Sequence, residues 1–194
     1  MKSEEKGTFT GEQVSKLVRA ADTDWRNAIL LGYYTGARLS DVANMRWGAI
    51  DWSNKIIRFT ASKTGEPVTL PLHPQLEREF LKNAGIGNAP IFPTLAGRGT
   101  GGKHGLSGRF NAIMEKAGVE GKRTRASGGR TLSSLSFHSL RHSFNSALAN
   151  AGVSQEIRQK LTGHASAEMN TIYMHHELAP LRAAVEKLPA LGIK

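Results

Sequence analysis

Apolar positions recur at helical spacing through the first part of the chain. Thr10 is followed three residues later by Gln13, which is a capping-box signal for the start of a helix. The stretch 28–34 is apolar nearly all round, which predicts a helix that is buried, and Gly36 is placed to end it. The predicted helices of this part are 11–20, one that starts at Asp24, and 39–45.

The pattern changes to short strands after residue 49. Segments 50–52, 55–60 and 67–71 are rich in β-branched and aromatic residues, and turn-like residues separate them at 53–54 and 64–66. Three short strands separated by turns predict a small three-stranded antiparallel sheet. Lys63 then lies at the tip of its second hairpin.

The rest of the chain is predicted to be mainly helical, with two basic loops. Helices are predicted at 74–84, 108–117, 138–151, 154–161, 166–173 and 180–188. The predicted loops are 95–106, which carries Arg98, Lys103 and His104, and 121–136, which carries Lys122, Arg123, Arg125 and Arg130. For 121–136, a solvated loop and a DNA-contacting loop fit the composition equally well. The predicted fold is therefore α+β, mainly α-helical, in one domain over 1–194, with a flexible start at 1–7 and a C-terminal tail at 178–194.

Charge narrows the classes of partner. The chain has 26 Lys+Arg against 16 Asp+Glu and a formal net charge of +10, which favours a polyanion such as nucleic acid, although a basic ribosomal-type protein has a similar balance. It has no cysteine, which excludes disulfides, cysteine-ligated zinc and thiol catalysis. No run approaches the roughly 18 apolar residues of a membrane span, and 1–7 does not resemble a signal peptide. We expect a cytoplasmic protein with no membrane partner.

The predicted helix at 138–151 has two different faces. Its apolar stripe consists of Leu140, Phe144, Ala147, Leu148 and Ala151. The opposite face carries His138, Arg141, His142 and Asn145. A single histidine on such a face is usually a hydrogen-bonded surface residue. Two histidines with an arginine make a phosphate or metal site more credible.

A second arginine follows a run of small residues. Arg38 comes after 35–37, Thr-Gly-Ala, where small side chains let a ligand approach the backbone. Asp41 is placed to orient the Arg38 guanidinium, whose planar fork suits two phosphate oxygens. An ordinary surface Arg–Asp pair is the alternative interpretation.

His164 and Tyr173 complete the set of candidate groups. His164 follows a glycine between two predicted helices, where it is placed to donate to an anion. A phenol, with an ordinary pKa of about 10, is a poor nucleophile unless cations or a base assist it. Arg38, Lys63, Arg141 and His164 are the candidate cations. Taken alone, His164 fits an incidental residue at a helix end, and Tyr173 fits an amphipathic residue at the core edge.

Metal binding is the competing use of the histidines. His138, His142, His164, His175 and His176 are available, and the first two have the i, i+4 spacing of helical zinc sites. The residues between them include Arg141 and no glutamate, and a guanidinium repels a dication. We therefore expect no metal and no other cofactor.

The order of these segments resembles the tyrosine recombinase, or phage integrase, family. Segment 35–41 resembles the family's first-arginine box, 62–66 its β-hairpin lysine segment, 137–144 its His-x-x-Arg box, 161–164 its Leu-x-Gly-His box, and 171–173 its nucleophile box. The resemblance covers roughly residues 8–188. The family also has an N-terminal core-binding domain that clamps DNA, and we expect that domain to be absent from this chain.

The resemblance implies a site-specific DNA recombinase that works without metal or ATP. In this chain Tyr173 would attack a DNA phosphate to form a 3′-phosphotyrosyl bond, and Arg38 and Arg141 would stabilise the non-bridging oxygens. Lys63 would protonate the leaving 5′-oxygen. His138 would assist proton transfer and His164 would bind the phosphate, with Asp41 and His142 in support.

The resemblance also implies that the partner is double-stranded DNA. On DNA it implies a homo-oligomer, namely a tetramer, whereas the free protein is compatible with a monomer. The tail has an apolar stripe, at Leu178, Leu181, Val185 and Leu188, that in the family docks on a neighbouring protomer. Docking on its own domain is the alternative. Two other functions remain open: a type IB topoisomerase-like enzyme that rejoins the same strand, and a DNA-binding module that does not cleave.

Overall fold

The computed structural model describes residues 7–102, 104–125, 131–162 and 178–193. The helices are α1 Gly11–Ala20, α2 Thr23–Thr35, α3 Leu39–Ala43, α4 Pro74–Leu81, α5 Leu106–Lys116, α6 His138–Asn150, α7 Gln155–Leu161 and α8 Leu178–Glu186, with a 3-10 turn at Trp47–Ala49. The strands are β1 Ile50–Asp51, β2 Ile56–Thr60, β3 Pro67–Pro71, β4 Arg123–Arg125 and β5 Thr131–Ser133. The predicted α+β fold, mainly helical, is confirmed. Within these residues, each helix is too short or too polar to span a bilayer.

Local signals set the ends of the first two helices, as predicted. The Thr10 side chain accepts from the Gln13 N–H, and the Gln13 side chain accepts in return from the Thr10 N–H. Gly36 ends α2 in the left-handed conformation, with φ of 64°, a backbone geometry that favours glycine. The end of α2 is therefore sharply defined, and Arg38 follows it at a fixed place.

Helix α2 is the centre of the core, as its apolar sequence predicted. It packs against α1, α3, α4 and α6, and its residues from 28 to 35 are buried. Gly32 allows α6 to come close, because a Cβ built there would lie 2.8 Å from the Phe137 ring, just before α6. Trp25, near the start of α2, packs beside Phe110 and Phe137, with ring centroids 6.0 and 6.3 Å away. The close approach of α2 and α6 brings the end of α2 next to the middle of α6.

The predicted three-stranded antiparallel sheet is present, in the order β1-β2-β3. Strand β2 pairs with β3 from Ile56 opposite Pro71 to Thr60 opposite Pro67. Lys63 lies in the turn that joins these strands, and its side chain is exposed. The predicted location of Lys63 at a hairpin tip is therefore confirmed.

Segment 121–136 differs from its prediction as a loop, because it contains the β4–β5 hairpin. Arg123 pairs with Ser133 and Arg125 with Thr131. The Ser134 N–H donates to the Lys122 carbonyl at 2.9 Å, which extends the pairing toward the core. The prediction was wrong because composition rich in Gly, Ser and Lys/Arg lacks the apolar alternation of a strand, whereas backbone pairing needs no such side chains. Residues 95–102 form turns and bends, and α5 begins at Leu106, slightly earlier than predicted.

The C-terminal segment packs on its own domain, which is the alternative that the sequence left open. The side chains of Val185, Leu188 and Leu191 are only 1%, 3% and 6% exposed. The Gln75 side-chain amide pairs with the backbone of Leu191, accepting from its N–H at 2.7 Å and donating to its carbonyl at 2.9 Å. The Tyr34 hydroxyl donates to the same Gln75 oxygen at 2.6 Å. The segment therefore contributes to the folded core of this chain.

This packing predicts a large cost for truncating Leu188. Leu188→Ala should lower the free energy of unfolding by about 2–5 kcal/mol, because it leaves a cavity in the core. The matched control is Leu81→Ala: Leu81 is 55% exposed, and the change should stay within about 0.5 kcal/mol. Urea unfolding of both variants measures the difference. Equal and small effects would contradict the packing of the tail on its own domain.

His73 is a buried neutral histidine beneath this tail. Its Nδ1 accepts from the Gln75 N–H at 3.1 Å, and its Nε2 lies 3.4 Å from the Leu188 carbonyl. Its ring stacks on Tyr34, with centroids 4.0 Å apart. Burial lowers the pKa of His73, and the nearby Arg78 lowers it further, while the Leu188 carbonyl and Glu186 act in the opposite direction.

The lowered pKa of His73 predicts that acid destabilises the fold. Below about pH 6.5 the unfolded chain binds a proton at this position that the folded chain resists, so the free energy of unfolding falls as pH falls. His73→Asn keeps a capping side chain and removes the titration, so its loss of stability between pH 7.5 and 5 should be shallower. His104→Asn, at an exposed histidine, is the control. If the free energy of unfolding of His73→Asn falls with pH as steeply as that of wild type, this account is contradicted.

Candidate active site

Arg38 extends from the junction between α2 and α3. Gly36 turns the chain out of α2, and Arg38 then takes an extended backbone conformation and precedes α3 as its N-cap residue. Its side chain is half-buried. Within the described residues the Arg38 side chain has no hydrogen-bond or ion-pair partner. The backbone at the junction of α2 and α3 thus sets where the guanidinium starts.

Arg141 is held much more tightly. The apolar stripe of α6 is anchored in the core at Leu140, Phe144 and Leu148, as predicted. Arg141, half-buried beside that stripe, donates from Nη1 to the Gly36 carbonyl at 2.8 Å and from Nη2 to the Thr162 carbonyl. These carbonyls belong to the C-caps of α2 and α7, so one guanidinium connects the ends of two helices.

The two predicted arginines lie together. Arg38 and Arg141 line one narrow cleft with Thr35, Ala37 and Thr162. Burial lowers the pKa of Arg141, the charge of Arg38 lowers it further, and Asp41 acts in the opposite direction. Arginine stays protonated in proteins despite such a shift. Two partly desolvated like charges are costly without an anion, and an anion bound between them relieves both the desolvation and the repulsion.

Asp41 has a different partner from the one expected. The sequence suggested that it orients Arg38, but the structure has no Arg38–Asp41 ion pair among the described residues. Its Oδ1 instead accepts from the backbone N–H of Ser62 at 2.9 Å. The carboxylate is 8% exposed. It lines the arginine cleft and also contacts the residue that precedes Lys63.

The histidines of α6 lie at its beginning. His138 is the first residue of the helix and is exposed, and His142 is half-buried one turn later. Their rings are perpendicular, with centroids 4.8 Å apart. In the described part of the chain, no group of three or more His, Cys, Asp or Glu side chains is arranged to hold a metal ion.

Several predicted residues lie outside the described residues. These are His164, Tyr173, Lys103 and Arg130, together with His175 and His176 of the metal alternative. Thr162, whose carbonyl binds Arg141, is the last described residue before His164 in the sequence.

The structure describes some of the basic residues that the sequence predicted to contact DNA. Arg98 is exposed, and its Nε donates to the Thr94 carbonyl at 2.8 Å. Lys122 is exposed at the base of the β4–β5 hairpin. Arg123 and Arg125 lie in β4, on either side of Thr124 in the sequence. Their contact with DNA remains a prediction.

Sequence reasoning missed the groups that hold the site in position. The carbonyls of Gly36 and Thr162 bind Arg141, and Ser62 contacts α3. Backbone carbonyls carry no sequence signal for such a role. A serine in a turn predicts only the turn, because its partner lies on a different element.

Comparison with known proteins places this arrangement in a family. The sequence model of the phage integrase family matches residues 8–179. The chain belongs to this family, the tyrosine recombinases. The resemblance inferred from its motifs is thereby confirmed.

Individual relatives agree with the family assignment. The tyrosine recombinase XerA of Pyrococcus furiosus is 27% identical over 189 residues, which cover 93% of this chain and 61% of that protein. The integrase from mycobacterium phage Brujita has a similar fold, with a TM-score of 0.72 and 21% identity over 100% of this chain and 62% of its own. A lambda integrase, in a tetramer bound to a Holliday junction, has a TM-score of 0.60 and 23% identity. The match covers 86% of this chain and 49% of the lambda integrase chain. This chain therefore spans less than two thirds of the length of these relatives.

The close contact of Gly36 with α6 gives a prediction for stability. A Cβ at Gly36 would lie 2.9 Å from the Phe144 ring and 3.5 Å from Cγ of Arg141. Gly87 also has positive φ, 58°, but a Cβ there meets nothing within 4 Å among the described residues. Gly87→Ala should therefore cost about 1–2 kcal/mol, from left-handed backbone strain alone.

Gly36→Ala should cost at least about 1 kcal/mol more than Gly87→Ala, because overpacking is added to the same strain. Thermal unfolding of the two variants measures the difference. Equal costs would mean that α6 moves away freely, which would contradict the tight contact between the end of α2 and Arg141.

Proposed function

We propose that this chain is the catalytic part of a tyrosine-type site-specific recombinase, which cleaves and rejoins DNA through a 3′-phosphotyrosyl intermediate. The observation that carries the proposal is the cleft that Arg38 and Arg141 share. These side chains come from elements far apart in sequence and converge at a spot that favours an anion. Family membership agrees with this function.

The chemistry begins with a phosphodiester bound by the two arginines. Their guanidiniums donate to the non-bridging oxygens, where negative charge grows as the phosphorus becomes five-coordinate. Arg141 is already oriented by the carbonyls of Gly36 and Thr162, so little reorganisation is needed when the substrate binds. Arg38 supplies the second guanidinium, which lines the same cleft.

Bond exchange then needs a nucleophile and proton carriers. The Tyr173 oxygen attacks phosphorus, the P–O5′ bond breaks, and the phenol proton is lost with help from His138. Lys63 donates a proton to the departing 5′-oxygen, and His164 hydrogen-bonds the phosphate. Attack by a 5′-hydroxyl of a partner strand reverses the step, so no ATP is needed. Every step uses side chains of this chain, with no metal or other cofactor.

Double-stranded DNA is the proposed partner, and a tetramer the proposed assembly on it. The net charge of +10 supports binding to phosphates, and the lambda integrase named above is a tetramer on a Holliday junction. The proposed contacts beyond the cleft are Arg98, Lys103, Lys122, Arg123, Arg125 and Arg130. We place the activity in the cytoplasm, with the DNA.

Covalent trapping tests the function without knowledge of the target site. Nicked duplexes of randomised sequence are incubated with the protein, so that the short 5′-hydroxyl fragment released by cleavage diffuses away and leaves the adduct trapped. Wild-type protein should give an SDS-resistant adduct whose peptide maps to Tyr173. Sequencing of the trapped DNA then identifies the scissile phosphate.

Tyr173→Phe should abolish the adduct and leave DNA binding nearly unchanged, because the cations make the phosphate contacts. The chain has only three tyrosines, and Tyr33→Phe is the matched control that should still form the adduct. No adduct with wild-type protein, or an adduct with Tyr173→Phe, would overturn the proposal. Strand exchange between two duplexes, rather than rejoining of the same strand alone, distinguishes a recombinase from a topoisomerase.

A further inference from the structure

Among the described residues, Ser62 is the residue of the Lys63 turn that hydrogen-bonds to α3. Asp41 Oδ1 accepts from the Ser62 N–H at 2.9 Å, in a part-buried contact. The hydroxyls of Ser40 and Ser62 lie 3.1 Å apart and share a hydrogen bond. Two neighbouring side chains of one helix therefore hold both the backbone and the side chain of the residue next to Lys63.

The anchoring of the turn stops at Ser62. Before it, Ala61 is buried, its N–H donates to the Glu66 carbonyl at 2.8 Å, and its carbonyl accepts from Gly65 at 2.8 Å. After it, Lys63 and Thr64 are exposed, and in the described structure a Cβ built on Gly65 would touch nothing within 4 Å. Ser62 is the last residue held by another element before the lysine.

The same helix also fixes the first arginine. Arg38 is the N-cap residue of α3, and Ser40 and Asp41 follow it within the first turn. The contacts to Ser62 therefore couple the Lys63 turn to the Arg38 backbone in the DNA-free protein. A hydrogen bond to a carboxylate is stronger than one between hydroxyls, so Asp41 provides the larger part of this coupling and Ser40 the smaller.

We propose that Ser40, Asp41 and Ser62 form a tether that positions Lys63 for proton donation to the 5′-oxygen. The inference rests on the proposed function and adds to it three positioning residues that act through the lysine. A proton donor must come within hydrogen-bond reach of the leaving oxygen, and a displacement of 1 Å in an active site can cost about 100-fold in rate. Without the tether, hydrogen bonds within the hairpin still close the turn, but in the described structure no hydrogen bond from another element then holds the residue next to Lys63.

A change of leaving group tests the tether. An alkoxide needs a proton as it leaves, whereas a thiolate, from a thiol with an ordinary pKa of about 8.5, does not. Cleavage rates are compared on two duplexes with the scissile phosphate mapped by trapping. One has the normal 5′-bridging oxygen, and the other has sulfur in its place.

On the oxygen duplex, Asp41→Asn should cleave on the order of 10- to 100-fold more slowly than wild type, and Ser62→Ala less severely. On the sulfur duplex both should come within about threefold of wild type, as Lys63→Ala should, because the proton donor is no longer needed. Thr64→Ala is the matched control: Thr64 lies on the other side of Lys63, its side chain makes no hydrogen bond among the described residues, and the change should leave cleavage of both duplexes unaffected. Arg38→Ala should be slow on both, because its role does not depend on the leaving group.

Hydrogen exchange in the DNA-free protein gives a readout that does not need cleavage. Asp41→Asn should speed exchange of the Ser62 amide while the thermal unfolding midpoint stays close to that of wild type. Unchanged exchange would overturn the tether, even if the chain does not cleave DNA.

The cleavage outcomes separate this inference from the proposed function. Suppose that the cleavage rate of Lys63→Ala recovers on the sulfur duplex but those of Asp41→Asn and Ser62→Ala stay low. Asp41 and Ser62 then act on the arginines, and the tether is wrong. If neither variant is slow on oxygen, the tether is also wrong. If wild-type protein forms no adduct at all, the proposed function fails, and the exchange experiment still decides whether the contact holds the turn.

Discussion

The site depends on one half-buried guanidinium that joins the ends of two helices. Arg141 donates to the C-cap carbonyls of α2 and α7, which are the ends where helix dipoles place partial negative charge. This contact forms only because α6 packs closely against α2, with Gly32 and Gly36 at the positions of closest approach. The core thus determines where the charge lies, and the charge connects elements that hydrophobic packing alone would leave free to shift.

The same contact explains why the cleft favours an anion. The carbonyls of Gly36 and Thr162 satisfy part of the hydrogen-bonding capacity of Arg141 but carry no full negative charge to balance it. Arg38 adds a second cation at the cleft, and Asp41, whose charge acts on Arg141, uses one oxygen to bind the Ser62 N–H. Among the described residues the positive charge is therefore only partly balanced, and a phosphate group bound as proposed would complete the balance.

The sequence predicted features that are determined by neighbouring residues. Two examples are the capping box at Thr10 and Gln13 and the left-handed Gly36. Both depend on contacts a few residues away, so the local sequence is enough to locate them. The apolar face of α6 and the strands β2 and β3 have strong periodicity. The arginines of the site were found because the side chains that carry chemistry are distinctive residue types.

The features that sequence reasoning missed depend on contacts between distant segments. The β4–β5 hairpin is a pairing of polar strands, and its residues fit a loop equally well until the partner is known. Asp41 was expected to bind the nearest arginine in sequence, but the backbone N–H of Ser62 lies within reach once the sheet packs beside α3. For the tail the sequence left two docking sites open. Its own domain is shown by the burial of Leu188 and Leu191 and by Gln75, whose pairing with Leu191 no local pattern indicates.

The contrast between Arg141 and Lys63 follows from what each charge must do. A phosphodiester is negative throughout the proposed reaction, so a permanently charged group that is fixed by the core before DNA arrives loses nothing by being rigid. A proton donor is needed only when the leaving bond breaks, and lysine supplies it from a flexible side chain that can change its protonation state. Such a residue is better carried on an exposed turn, provided that the base of the turn is held. The hydrogen bonds of Ser62 to α3 meet that condition with one anchored residue, leaving the lysine side chain free to follow the departing oxygen.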